Sequence, residues 1–267
     1  MKGEIVERVL RSSRYRDVDR SLLARLADEE LPRARNADDA VKRVKRRLHQ
    51  AVGAFRGAAR PDAMVAAWSG ELTSPTFRAA CADALRAHAS TRERASHLDA
   101  FYAPIWSVTG APGRVLDVGC GLNPLTLPWM GLGRDVTYLA SDVDRRPLAT
   151  VASFLELVGQ PHEVEVRDLV QASPTAEADV AILLKVVPTL DRQDPVAATN
   201  LLRALRVRHA VVSFATRSLG GRGTGMDRTY RGRLERLVAE AGRVSALAEV
   251  SVPNELVFVL TLDAVDG

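Results

Sequence analysis

Cysteine is almost missing from this chain of 267 residues: Cys81 and Cys120 are the only two. Two thiols cannot staple a small secreted fold, and they suit a reducing compartment. Long apolar runs are missing too. The best, around Val180–Val187, is short and broken by Lys185, well under the roughly 20 residues that cross a bilayer. The first 30 residues mix charges throughout and lack the apolar core of a signal peptide. A cytoplasmic protein with no membrane partner is expected. The histidines (His49, His88, His97, His162 and His209) show no metal-ligand spacing among themselves or with the cysteines, so no metal is expected. A serine hydrolase has no G-x-S-x-G elbow to stand on, and a phosphate loop has no Gly-Lys-Ser/Thr.

What is present is ordinary in amount and uneven in placement. The chain is 46% hydrophobic and 26% charged, which fits a globular protein with a substantial core. Residues 1–60 hold 16 basic and 9 acidic residues, a net of +7, whereas the rest is net negative. Inside that remainder, residues 203–243 hold 10 basic residues against 3 acidic ones. Two separated basic segments fit an extended anionic partner, and nucleic acid is the usual one. A solvated helical face is the plain alternative.

Up to about residue 107 the pattern is helical. Asn36, followed by Asp38 and Asp39, has the form of an N-cap with first-turn acids. Behind it Val41, Val44, Leu48, Val52 and Phe55 recur at helical spacing, with Lys42, Arg43, Lys45, Arg46 and Arg47 on the other faces. Ser90-Thr91-Arg92-Glu93 has the form of a capping box opening a helix that carries Leu98, Phe101, Tyr102 and Ile105.

From Arg114 the pattern changes to strands alternating with helices. Strands are expected at Val115–Val118, Thr137–Ser141, Val164–Val166, Asp179–Leu184, Ala210–Phe214, Ser245–Val252 and Glu255–Leu262. The last two flank the turn pair Pro253-Asn254 and must run antiparallel. The expected fold is α/β, with a mostly parallel, Rossmann-like seven-stranded sheet covered on both faces. A helical region over 1–107 precedes the sheet domain at 108–267.

The chemistry concentrates at Leu116-Asp117-Val118-Gly119-Cys120-Gly121-Leu122-Asn123-Pro124. Glycines at the carboxyl end of a first strand let the backbone turn tightly against a nucleotide. A dinucleotide site needs a third glycine opening a helix for the pyrophosphate; here Pro124 stands there, and Asp117 would repel phosphate. A carboxylate at that point suits an ammonium group, which S-adenosylmethionine has in place of phosphate. Asp142 ends the next strand, placed to grip a ribose diol, and Asp168 follows the third, within reach of an adenine amino group. Helix capping by these acids is the bland alternative. Cys120 fits a small filler of the turn better than a nucleophile. Lys185 closes the fourth strand, where it either lines the site or snorkels to water. Further on, four glycines fall within Gly220–Gly225. Arg217 before them and Arg222 among them have the chemistry to meet phosphate or a base edge, and Met226 has that of an apolar wedge for an extruded base; a flexible loop whose Met begins the next helix is the plainer alternative.

His88-Ala89-Ser90-Thr91-Arg92-Glu93-Arg94, Cys120-Gly121-Leu122-Asn123-Pro124, Pro128-Trp129-Met130-Gly131-Leu132, Leu183-Leu184-Lys185, Thr216-Arg217-Ser218-Leu219-Gly220 and Asn254-Glu255-Leu256 occur in order. Together they resemble the aminoglycoside-resistance 16S rRNA (guanine-N7) methyltransferases, over nearly the whole chain. The resemblance implies a class I S-adenosylmethionine methyltransferase domain with a helical N-terminal domain docking on the assembled 30S ribosomal subunit. The implied reaction is methylation at N7 of the decoding-site guanine, rRNA nucleotide 1405, by a monomeric enzyme. It implies that Arg94 pairs with the methionyl carboxylate, that Gly119 and Gly121 form the cofactor floor, and that Asp142 holds the ribose. Asp168 and Leu169 would border the adenine, and Arg222 and Met226 would handle the target guanosine. Lys42, Arg43, Lys45, Arg46 and Arg217 would meet RNA. Alternatives remain: adenine-N1 methylation in the same rRNA region, methylation of a small antibiotic precursor, or an RNA-binding module without catalysis. A nicotinamide oxidoreductase is disfavoured by Asp117 and Pro124.

Overall fold

A computed structural model of the chain describes residues 1–51, 61–216 and 226–265. Helices come first: α1 (Lys2–Leu10), α2 (Arg20–Glu30), α3 (Ala37–Ala51), α4 (Pro61–Ala67), α5 (Pro75–Ala87), the single turn α6 (Ala89–Arg92) and α7 (Ala103–Thr109). The sheet region follows with β1 (Arg114–Val118), α8 (Leu127–Met130), β2 (Thr137–Asp142), α9 (Arg145–Val158), β3 (His162–Val166) and β4 (Glu177–Leu184). Then come α10 (Val187–Asp191), α11 (Ala197–Ala204), β5 (Arg206–Ala215), α12 (Met226–Ala241), β6 (Val244–Val252) and β7 (Glu255–Leu262).

The seven strands form one sheet in the order β3-β2-β1-β4-β5-β7-β6. β7 runs antiparallel to both β5 and β6, and the other pairings are parallel. Strand order reverses between β1 and β4, so their carboxyl ends open a crevice of the kind that takes ligands in doubly wound sheets. Alternation sorts side chains to two cores. Val115, Ile182, Val211 and Val257 face Phe77, Phe101, Tyr102 and Phe154 on one side. Leu116, Leu183, Val212 and Phe258 face Leu201, Leu234 and Leu237 on the other. Helices α4, α5 and α7 thus share a core with the sheet, although they precede it in sequence.

A third core belongs to α1, α2 and α3, through Ile5, Val9, Leu22, Leu23, Leu26, Val44 and Leu48. Asp19 caps α2 by accepting from the Ser21 backbone N–H at 2.9 Å. Asn36 Oδ1 accepts from the Asp39 N–H at 2.9 Å, as expected for the start of α3. Of that helix's apolar stripe, Val52 and Phe55 lie outside the described residues. This bundle is tied to the sheet by main-chain bonds: Asp19 N–H donates to Val143 O at 3.1 Å, and Arg145 N–H donates to Asp17 O at 3.0 Å.

The capping box expected at Ser90 does not form. Ser90 Oγ bonds His88 Nδ1 at 2.8 Å, and Glu93 turns away to Lys185 Nζ at 2.8 Å. The chain then passes through turns, and Leu98–Ala100 is a short 3-10 segment before α7. A local bond to His88 and a tertiary one to Lys185 take the two capping side chains, so short helices stand where a continuous one was expected.

Candidate active site

The turn after β1 is made by two glycines. Gly119 has φ +64° and Gly121 has φ +52°, a region that costs other residues roughly 1–2 kcal/mol. A Cβ on Gly121 would sit 3.3 Å from His88 Cε1, and one on Gly119 would sit 3.0 Å from Val186 Cγ2. The backbone therefore comes close to both walls of the crevice. The Cys120 N–H donates to Ser141 O at 2.9 Å, tying the turn to β2.

Three strand-end acids wall the resulting cavity, which encloses about 480 Å³. Asp117 is buried, and its Oδ2 accepts from Asn123 Nδ2 at 2.9 Å and from the Tyr138 hydroxyl at 2.7 Å. Burial pushes its carboxyl up to about 6. Asp142 braces the glycine turn: Oδ2 accepts from the Gly121 N–H and Oδ1 from the Asp144 N–H, each at 2.9 Å. Burial raises its carboxyl as well. Asp168 is held by Arg25, whose Nε lies 2.7 Å from Oδ2. Leu169 lines the same cavity.

Arg94 is 2% exposed and reaches Asp117 through Asn123. Its Nη1 donates to Asn123 Oδ1 at 2.8 Å and its Nη2 to Glu255 at 2.8 Å, while the guanidinium lies 4.4 Å from the Phe101 ring centroid. Its Nε–H has no hydrogen-bond partner, and Arg94 lines the cavity. A buried donor without an acceptor is costly, and a ligand carboxylate would supply the acceptor. The residues present therefore fit an amino-acid end carrying both charges: Arg94 for its carboxylate, Asp117 for its ammonium.

Glu255 anchors this end of the site and was not singled out as a site residue from sequence. It accepts from Arg94 and from Ser213 Oγ at 2.8 Å, with Lys185 Nζ 3.4 Å away. Burial works against its charge, but Arg94 and Lys185 outweigh it and hold the carboxyl below its ordinary range. A carboxylate heading the apolar run Glu255–Leu262 was the available signal. Lys185 itself does not snorkel. It has φ +61°, and its Nζ donates inward to Ser90 O at 3.1 Å and to Glu93.

Neither thiol nor imidazole supplies an acid or base. Burial, with the charges of Asp117 and Asp142, raises Cys120 well above the ordinary thiol range. Burial and then Arg92 push His88 down to about 4, so it is neutral near pH 7. Among the described residues no cluster of His, Cys, Asp and Glu fits a metal ion.

The basic face of α3 divides in two. Lys42 and Arg46 are exposed and Lys45 is half-buried. Arg43 donates to Glu30 at 2.7 Å, and Arg47 binds Glu29, Glu30 and the Gln193 carbonyl. Arg217 and Arg222 lie outside the described residues, and Met226 is the first residue of α12.

A Rossmann-like sheet with an acid-walled glycine turn at its switch point defines a class I S-adenosylmethionine-dependent methyltransferase. The family model "Ribosomal RNA methyltransferase (FmrO)" matches residues 11–259, and the chain belongs to that family. A 16S rRNA (guanine(1405)-N(7))-methyltransferase of Frankia casuarinae is 41% identical over 95% of this chain and 91% of its own length. One from Micromonospora rosea is 35% identical over 96% and 95%. The crystal structure of the 16S rRNA methyltransferase RmtF in complex with S-adenosyl-L-homocysteine superposes with a TM-score of 0.84. It is 33% identical and covers 98% of each chain.

Proposed function

We propose that this protein transfers the methyl group of S-adenosylmethionine to N7 of guanine 1405 of 16S rRNA, in the assembled 30S subunit. The observation that carries the cofactor end is the buried Arg94 Nε–H without a partner, with Asn123 linking that arginine to Asp117 on the cavity wall. Relatives named for this guanine, at 35–41% identity over nearly the whole chain, support the target. In this reading Arg94 and Asp117 clamp the methionyl end, Gly119 and Gly121 form the floor, Asp142 takes the ribose, and Asp168 with Leu169 takes the adenine.

S-adenosylmethionine supplies, when bound, a methyl group on a positively charged sulfur. Guanine N7 carries an in-plane lone pair and no proton, so the chain need not provide a general base. That agrees with a neutral His88 and an inert Cys120 beside the cavity. The residues act by alignment, worth up to ~7–11 kcal/mol in favourable cases. In A-form RNA the N7 edge lies in a deep, narrow groove closed to side chains, so the base must be turned out at a cost of a few kcal/mol. Arg222 and Met226 are assigned to hold it there. Residues 1–107 are assigned to docking through Lys42, Lys45, Arg46 and, from the later loop, Arg217; Arg43, expected beside them, is held by Glu30 and goes to the bundle instead. Phosphate contacts of this kind make binding strongly salt-dependent. The enzyme is assigned as a cytoplasmic monomer.

The experiment is to express the chain in an aminoglycoside-sensitive bacterium and map its 16S rRNA by mass spectrometry. Methyl at N7 of guanine 1405, with growth on gentamicin- and kanamycin-type drugs, is the expected result. Methyl at an adenine N1 would move the target, and unmodified rRNA would overturn the activity.

A further inference from the structure

Arg25 is 143 residues from Asp168 in sequence and sits on α2, whose Leu22, Leu23 and Leu26 belong to the N-terminal core. Its Nε donates to Asp168 Oδ2 at 2.7 Å and its Nη2 to Oδ1 at 3.3 Å. The same Nη2 reaches Gln193 Oε1 at 2.8 Å, and Nη1 is held by Glu29 at 2.9 Å. Asp168 and Gln193 both line the cavity. The side chains of Arg25 and Asp168 are only 10% and 3% exposed. A fork held at each nitrogen by a separate acceptor has little rotational freedom, and a bidentate pair fixes the plane of its carboxylate.

A carboxylate offers about four lone-pair directions. Arg25 Nε, Arg25 Nη2 and the Val170 N–H fill three of Asp168's, two of them on Oδ1. One direction on Oδ2 remains for a donor inside the cavity.

We infer that Arg25, from the N-terminal bundle, is a positioning residue that aims the free acceptor of Asp168 at the exocyclic amino group of the cofactor's adenine. The inference rests on the proposed placement of the adenine beside Asp168 and Leu169. Discrimination then comes from geometry: a purine carrying a keto oxygen at that position faces an acceptor with an acceptor. A site built to receive an N–H rejects the analogue lacking it, because its own buried polar atom is left unpaired.

The test is calorimetric titration of the full chain with S-adenosylhomocysteine and with S-inosylhomocysteine, whose base has the keto oxygen. Thermal unfolding of each variant serves as the folding control. Wild type should prefer the adenosyl compound, and Asp168→Asn should abolish that preference. Arg25→Gln should lower it by about tenfold, the scale of typical site-to-site coupling. Arg25→Lys keeps the charge without the fork and should lower it by a smaller factor. An unchanged preference in Arg25→Gln, or in Arg25→Lys should the first variant not fold, overturns the inference. Equal weakening for both compounds also overturns it, because that is loosening of the cavity and not aim. If Asp168→Asn keeps the wild-type preference, the adenine placement itself fails.

Discussion

Arg94 and Glu255 lie 161 residues apart in sequence and 2.8 Å apart in the fold, each almost without solvent exposure. Glu255 begins β7, whose antiparallel insertion between β5 and β6 brings it beside the crevice. It receives Arg94 and Ser213 directly, with Lys185 nearby. Glu255 thus offsets the buried Arg94 and shares the half-buried Lys185 with Glu93.

Glu255→Ala should therefore cost about 3–5 kcal/mol of stability, the range for removing one partner of a buried ion pair. Glu255→Gln keeps the shape and part of the hydrogen bonding, and should be milder. Urea unfolding at two salt concentrations checks both. Because the pair is shielded from solvent, the loss should change little with ionic strength.

Asp117 links function to stability with a definite sign. Its carboxyl titrates near 6 in the folded protein, against an ordinary 3.8. The folded state holds the proton more tightly between those values, so stability falls as pH rises through them, and the penalty is complete above about 6. Asp117→Asn removes the penalty. Its melting temperature should exceed that of wild type at neutral pH, and the gap should shrink as pH drops toward 4. Asp142, also raised by burial, is present in both proteins. A cofactor ammonium would favour the ionised carboxylate, so S-adenosylmethionine affinity should weaken below about pH 6 in wild type and be poor throughout in Asp117→Asn.

The two halves of the basic cluster on α3 should fail differently. Reversing Lys42, Lys45 and Arg46 to Glu should abolish methylation of 30S subunits while leaving folding and cofactor affinity near wild type. Replacing Arg43 and Arg47 by Gln should instead destabilise the bundle, because both bind the acids of α2. Circular dichroism melts, cofactor calorimetry and a subunit methylation assay separate the outcomes.

Neither cysteine should react in the folded protein. Burial pushes Cys81 up to about 12 and holds Cys120 well above the ordinary thiol range. Ellman's reagent should find no reactive thiol before denaturation and both afterwards.

Much of the sheet was legible locally. Val115–Val118, Asp179–Leu184 and Glu255–Leu262 are apolar runs bounded by glycine, charge or a turn pair, and each appears as a strand within a few residues. The segment after His88 was not legible, because Ser90 and Glu93 spend their side chains on His88 and Lys185. Arg25 and Gln193 gave no local sign of lining or bracing a nucleotide cavity.

The amino-acid order by itself determined the alternation of strands and helices, the glycine turn after Asp117 and the acids at successive strand ends. These depend on backbone period and on which residues tolerate a positive φ, both properties of short segments. Only the tertiary structure decided which arginines are consumed and which are left over. Arg25 braces Asp168, Arg43 and Arg47 hold α2, and Arg94, beside the cavity, keeps a buried Nε–H without a partner. A guanidinium's role is set by the carboxylate that comes within about 3 Å of it, and the chain's folding path through space, not its local pattern, brings that carboxylate there.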